Sequence, residues 1–169
     1  MRNNIAEQYW MLFLYAGVND ISRARFDPNT PRDSQDIIND FISYGQLVNG
    51  DNGRFIVATV APAYASPADA SYQVSLSNEQ NRVVVNNFLL SDAGKAAIGA
   101  VDVIPLSKNR LIGTYEGVQN QALYPDDLHG NAAEQTLLAF IFSEAIILAS
   151  NQPVGPLATP LVSTVIADR

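Results

Sequence analysis

The chain has 169 residues, 47% of them hydrophobic and only 16% charged, with 17 acidic against 10 basic side chains and a net charge of −7. That length supports one domain with a real core, and the acidic balance excludes a protein built to neutralise nucleic-acid phosphates, whose affinity rests on Lys and Arg displacing counterions. The absence of cysteine excludes disulfide staples, thiol nucleophiles and thiolate metal sites, and leaves redox compartment and localisation open.

With charge so sparse, the surface is finished by amides, since Asn and Gln fill about two dozen positions. Amides hydrate a surface without mutual repulsion, so such a protein tolerates contact with copies of itself. Lys95 and Lys108 are the only lysines, and of the arginines only Arg23 and Arg25 lie close together, with Arg32 following. A local Arg site at these three is the one route by which a phosphate would be held.

In chain order, Asn3 or Asn4 is placed to cap a first helix over about 4–16, in which Ile5, Tyr9, Leu12, Phe13 and Ala16 keep helical spacing and Gly17 terminates. The apolar run from Tyr9 to Ala16 follows Arg2, but Glu7 stands between and no small-residue cleavage site follows, so it reads as helix rather than signal peptide. Trp10, Met11 and Leu14 fall outside the stripe, which predicts burial on more than one face. Trp10 and Leu14 are therefore candidate contacts to a neighbouring subunit.

Thr30, Pro31 and Asp33 resemble a cap, a first-position proline and an N-terminal acid, and predict a second helix over about 32–47 with Ile37, Ile38, Phe41 and Ile42 on one face. The run Asn49-Gly50-Asp51-Asn52-Gly53 ends it. Phe55 to Val60 reads as a buried strand stopped by Pro62. Tyr72, Val74 and Leu76 then alternate with polar residues ahead of Val83-Val84-Val85, which predicts a hairpin and a mostly antiparallel sheet. A helix over about 78–90 is the rival reading, because Ser77 with Gln80 fits a capping box. Ser91 as cap and Asp92 in the first turn predict a short helix before Val103-Ile104-Pro105.

One local resemblance lies here. Asn87-Phe88-Leu89-Leu90-Ser91-Asp92-Ala93-Gly94-Lys95-Ala96-Ala97-Ile98, followed by Val103-Ile104-Pro105-Leu106, resembles a late helix-and-turn segment of the periplasmic phosphate-type solute-binding proteins. The resemblance implies a small-ligand binding module. It carries over no ligand residue, since the family's phosphate-binding loops have no counterpart in this sequence.

Arg110 to Tyr115 is predicted as a further strand and Tyr124-Pro125-Asp126-Asp127 as a turn. Asn131 with Glu134 opens the strongest helix, about 132–149, whose apolar residues run all the way round. Its roughly 18 residues are marginal for a bilayer, and Ser143-Glu144 at mid-length would cost several kcal/mol there, so a buried central helix and no membrane partner are expected. Beyond it, Pro153, Pro156 and Pro160 forbid a regular helix while Val154, Leu157, Leu161, Val162, Val165 and Ile166 are apolar. Residues 152–169 therefore read as an extended arm that must dock, with Leu157, Leu161 and Val165 as candidate contacts.

Candidate chemistry is sparse. The single histidine, His129, with Asp126 and Asp127 before it, has the residue types for a divalent cation or shared proton. Glu144, set among Phe142, Ala145, Ile146 and Ile147, is the candidate buried acid. Each is set against an ordinary role, a solvated turn for the first and a salt bridge or solvent-facing position for the second. No cofactor motif is present.

The sequence thus predicts an α+β fold: one domain over 1–151 in which two or three long helices pack on a small, mostly antiparallel sheet, followed by the arm at 152–169. The function expected first is a structural subunit of a homo-oligomeric assembly, of virus- or phage-type coat or tail character, with copies of itself as partners. A small-ligand module for an anion or sugar is the second reading, and a hydrolase or lyase using Glu144 or His129 the third.

Overall fold

The computed structural model describes residues 10–18, 20–21, 32–62, 76–109, 111–113, 120, 122–125 and 130–151. Among the described residues three strands, β1 (Met11–Leu14), β2 (Arg54–Ala58) and β3 (Ala100–Ile104), form one sheet in the order β1-β2-β3, and both pairings are parallel. The helices of seven residues or more among them are α1 (Ser34–Gly50), α2 (Leu76–Leu90), α3 (Asp92–Ile98) and α4 (Ala132–Ser150).

The mostly antiparallel sheet expected from the sequence is therefore corrected to an all-parallel one. Its cause lies in 76–90, where the rival reading holds: the segment is helix α2, so β2 is joined to β3 by a long crossover rather than a hairpin turn. The first helix, expected over about 4–16, is corrected where it is described, because Met11–Leu14 is strand β1; residues 4–9 lie outside the described residues. A parallel strand is covered on both faces and reads as a continuous apolar run, which mimics a helix apolar all round. Leu12 and Leu14 pack to one side of the sheet, Met11 and Phe13 to the other.

On the first side, α1, α2 and α3 contribute Ile37, Phe41, Val48, Val85, Leu89 and Ile98 to a core closed over Phe55, Val57 and Val103. Two successive crossovers of one hand, stepping the same way across a sheet, place their helices on one face. On the second side α4 brings Leu138, Ala145 and Ala149 against Ile56, Ala58 and Ile104, with Leu106, Ile112 and Tyr124 closing the end. The Arg54 guanidinium donates to the Ala149 carbonyl at 2.5 Å and ties the end of α4 to the start of β2.

Local signals account for the helix boundaries. Asp33 caps α1 in a reciprocal box with Asp36, so the cap is three residues later than Thr30, which lies outside the described residues. Ser91 caps α3 through the Gly94 N–H at 2.9 Å, as the sequence predicts. At Gly45 a Cβ would come within 1.8 Å of the Ile98 carbonyl, so only glycine lets α1 lie this close to the end of α3. In the stretch expected as a strand over 110–115, residues 111–113 form a turn ending in an isolated bridge.

The carboxyl end of the sheet is held by side chains. Thr59 donates its N–H to the Ile104 carbonyl and accepts the Ser107 N–H on its hydroxyl, both at 2.9 Å. Val60 donates its N–H to Asn86 Oδ1 at 2.8 Å, and its carbonyl accepts from Asn86 Nδ2 at 2.9 Å and Arg82 Nη1 at 3.1 Å. Arg82 is itself paired with Glu79, Nε lying 2.9 and 2.8 Å from the two carboxylate oxygens, and both residues are buried.

Removing one partner of a buried pair strands the other charge. Arg82→Met is expected to lower unfolding stability by about 3–5 kcal/mol, whereas Glu79→Leu combined with Arg82→Met should lose markedly less. Urea titration of the two variants against the parent reads the difference, and equal losses would mean the charge pairing is not what matters.

Candidate functional site

The described strands step in one direction across the sheet, β1-β2-β3, without the reversal at which open parallel sheets usually bind ligands, but the carboxyl ends of β1 and β2 still border open space. There a cavity of about 300 Å³ opens between Tyr15, Ala16 and Val18 after β1, Val60 and Ala61 after β2, Tyr124 and Gly130 of the connecting segment, and Glu134, Gln135 and Leu138 of α4. The Val60 clamp thus fixes one wall of it.

Glu134 is the third residue of α4. The cap is Asn131, whose side chain accepts the Ala133 and Glu134 N–H groups at 2.9 and 3.1 Å. Glu134 does not reciprocate as the sequence box implies. Its carboxylate turns inward and accepts the Tyr124 hydroxyl at 3.1 Å, leaving the residue only 5% exposed. Gly130 lies against the same group, where a Cβ would fall 2.1 Å from Oε2.

Burial raises the Glu134 pKa above the usual carboxylate range, and the hydrogen bond from Tyr124 works against the rise. Tyr15 is raised by burial and then by the charge of Glu134, with a hydrogen bond to Tyr124 opposing. Tyr124 is raised far above the ordinary phenol value, by burial first and then by Tyr15 and Glu134. Both phenols therefore keep their protons at neutral pH, and Tyr15, Tyr124 and Glu134 form a connected chain of hydroxyls ending on a carboxyl group.

A second cavity, about 210 Å³, lies between β1 and α1 and is lined by Leu14, Gly17, Asp20, Arg32, Asp40 and Tyr44 among others. Arg32 bridges it, reaching Asp20 at 2.7 Å, Asp40 at 2.5 Å and the Asp36 carbonyl at 3.2 Å. The hydrogen bond to Asp40 is the largest influence raising the Arg32 pKa, so its charge is fixed and its fork engaged within the protein.

The other sequence candidates fall in three places. Leu14 is half-buried in the protein's own core, and Trp10 is exposed, with its indole N–H on the Asp51 carbonyl at 3.0 Å. Glu144 is exposed on α4, away from the cavity, so of the two readings the solvent-facing one describes it and the buried acid does not: the inward face of α4 at that height is occupied by Ala145. Arg23, Arg25, Asp126, Asp127, His129, Leu157, Leu161 and Val165 lie outside the described residues. Among the described residues no three His, Asp or Glu side chains gather as a metal site would require.

Sequence reasoning missed Tyr15, Tyr124 and Glu134 as a group. Glu134 carried a signal, its helix-start position, but that signal pointed to the backbone rather than to a cavity. Comparison with protein-family models, with curated proteins and with solved structures gives no match for this chain.

The raised Glu134 pKa has a signed consequence. The unfolded chain ionises near 4.5 and the folded one at a higher pH, so the folded state loses stability as pH rises between those two values and levels off above them. Glu134→Gln is expected to abolish that fall, matching the parent below pH 4.5 and exceeding it at neutral pH. Denaturation midpoints of both proteins across pH 4 to 8 check this, and parallel curves would contradict it.

Proposed function

We propose that the protein is a self-associating structural subunit in which α4 packs against α4 of a second copy. The observation that carries this reading is the outward face of α4. Ala133, Phe140 and Ile147 recur along it at sevenfold spacing, all exposed, with Phe140 at 62% and Ile147 at 59%, and Leu148 beside them at 65%. Thr136, Ser143 and Ser150 form a second exposed row at the same spacing. Each of these hydroxyls donates to the carbonyl four residues back, at 2.8, 2.7 and 2.7 Å respectively. They are satisfied within the helix and enter a dry contact without stranding a polar group.

A seven-residue repeat of large and small side chains suits helix-on-helix packing. The occupant in this reading is a second copy, because the outward face of α4 carries a single charge, Glu144, and is where like-charge repulsion between two chains of net charge −7 is least. By length and composition α4 is also apolar enough to cross a membrane. However, its inward face is committed to the sheet through Leu138, Ala145 and Ala149, and Glu144 would be costly at mid-bilayer.

In this reading the expected N-terminal helix contact is replaced by α4. The coat- or tail-type character of the assembly is carried forward with it, and the arm at 152–169 is the second contact. Phe140→Asp with Ile147→Asp is expected to convert the assembly to a monomer of 18.3 kDa with unchanged circular dichroism, a loss of more than about 2 kcal/mol of association energy. Size exclusion with light scattering, followed by negative-stain imaging of the parent peak, reads the outcome. Regular particles or tubes support the coat-type reading and a small closed oligomer supports self-association alone. A monomeric parent, or one that sediments with lipid vesicles instead, refutes the proposal.

A further inference from the structure

The cavity at the carboxyl edge of the sheet faces away from the outward side of α4, and its chemistry is independent of assembly. Three features define what it would take. First, its lining contains a carboxyl group but, among the described residues, no lysine or arginine, so an anion would meet repulsion and gain no compensating charge. Second, Glu134 Oε1 is engaged by Tyr124, while among the described residues Oε2 has no donor; the missing side chain at Gly130 is what admits the carboxylate to this position, so any donor to Oε2 must come from the cavity side. A buried carboxylate oxygen without a donor favours a charged one. Third, Ala16, Val18, Val60, Ala61 and Leu138 make most of the remaining wall apolar. A sugar would need more hydrogen-bonding partners than Glu134, Gln135 and two phenols supply on an otherwise apolar wall.

We infer that this cavity binds a small organic ammonium ion, its N–H groups on the Glu134 carboxylate and Tyr15 and Tyr124 beside the charge, with a short aliphatic tail against Val60, Ala61 and Leu138. Tyrosine rings stabilise a cation held near them, and at about 300 Å³ the space is at the small end of ligand pockets. Among the described residues the titratable groups facing Glu134 are Tyr15 from the end of β1 and Tyr124 from the connecting segment, and both stay neutral below pH 8. The pH dependence of binding therefore follows Glu134, whose ionised form accepts the ammonium.

The test is titration calorimetry of the full chain with isobutylammonium and with its neutral counterpart isobutanol, over pH 4.5 to 8. The ammonium is expected to bind at least about tenfold more tightly than the alcohol at pH 8, one charge-assisted contact being worth that much. Its affinity should fall as pH is lowered, and Glu134→Gln should remove the preference while leaving the weak alcohol binding in place. Equal affinities for the two probes, a flat pH profile in the parent protein, or no binding of either would overturn the inference. The parent's own pH profile decides the matter even if the variant folds poorly, and Phe140→Asp with Ile147→Asp should leave the binding unchanged, which separates this site from the assembly reading.

Discussion

The fold depends on how the chain leaves β2. Strand β2 is central and, from Phe55 to Ala58, apolar and buried on both faces, so nothing within it tells the chain where to stop, and beyond Thr59 the backbone loses its neighbours on the sheet. Two turns of α2 supply replacements: Asn86 mirrors a strand by accepting from and donating to Val60, and Arg82 adds a third bond while Glu79 holds Arg82 in place. Buried backbone groups without partners cost about as much as a lost hydrogen bond each, so this substitution is what allows the sheet to end inside the protein rather than at its surface. Because Val60 and Ala61 also line the carboxyl-edge cavity, the clamp sets the shape of that cavity as well as the position of α2.

Much of this architecture is legible in the sequence where the signal is local. Asn131 and Ser91 cap the helices that follow them in the sequence, and Phe55 to Ala58 form the buried strand that their branching and apolarity indicate. Helix over 34–50 follows its apolar stripe at Ile37, Ile38 and Phe41. The failures have one physical origin. A strand covered on both faces has no period of two, so Met11–Leu14 passes for a helix, while Val83-Val84-Val85 is a β-branched run inside α2 that passes for a strand. Arg82, Asn86 and Glu79 break the apolar stripe because they are recruited to the backbone of β2, and no rule of spacing identifies a polar residue buried for that purpose.

The candidate site is less legible than the fold for a related reason. Tyr15, Tyr124 and Glu134 come from three separate parts of the chain, and only the register of β1 on β2 together with the placement of α4 brings them to one end of the sheet. Glu144 has the more conspicuous sequence environment, a carboxylate among large apolar residues, but ten positions along α4 leave it about a quarter turn away from Glu134, on the exposed flank of the helix. One helix therefore carries two different surfaces: its first turn contributes a buried acid to a cavity, and its outward side presents an apolar repeat whose hydroxyls are already bonded.

The parallel order of the strands has a consequence for how the protein comes into being. Met11 pairs with Arg54 and Phe55 with Ala100, so every sheet contact spans on the order of forty residues, and contacts of that separation form late and slowly. During synthesis β1 leaves the ribosome well before β2 exists to receive it, and β2 in turn waits for β3. For that interval the apolar faces of Met11–Leu14 and Arg54–Ala58 are open to any passing strand or to each other's counterparts on neighbouring nascent chains. Exposed apolar surface and unpaired strand edges of this kind are what make an incomplete chain prone to aggregate, and what a holding chaperone covers.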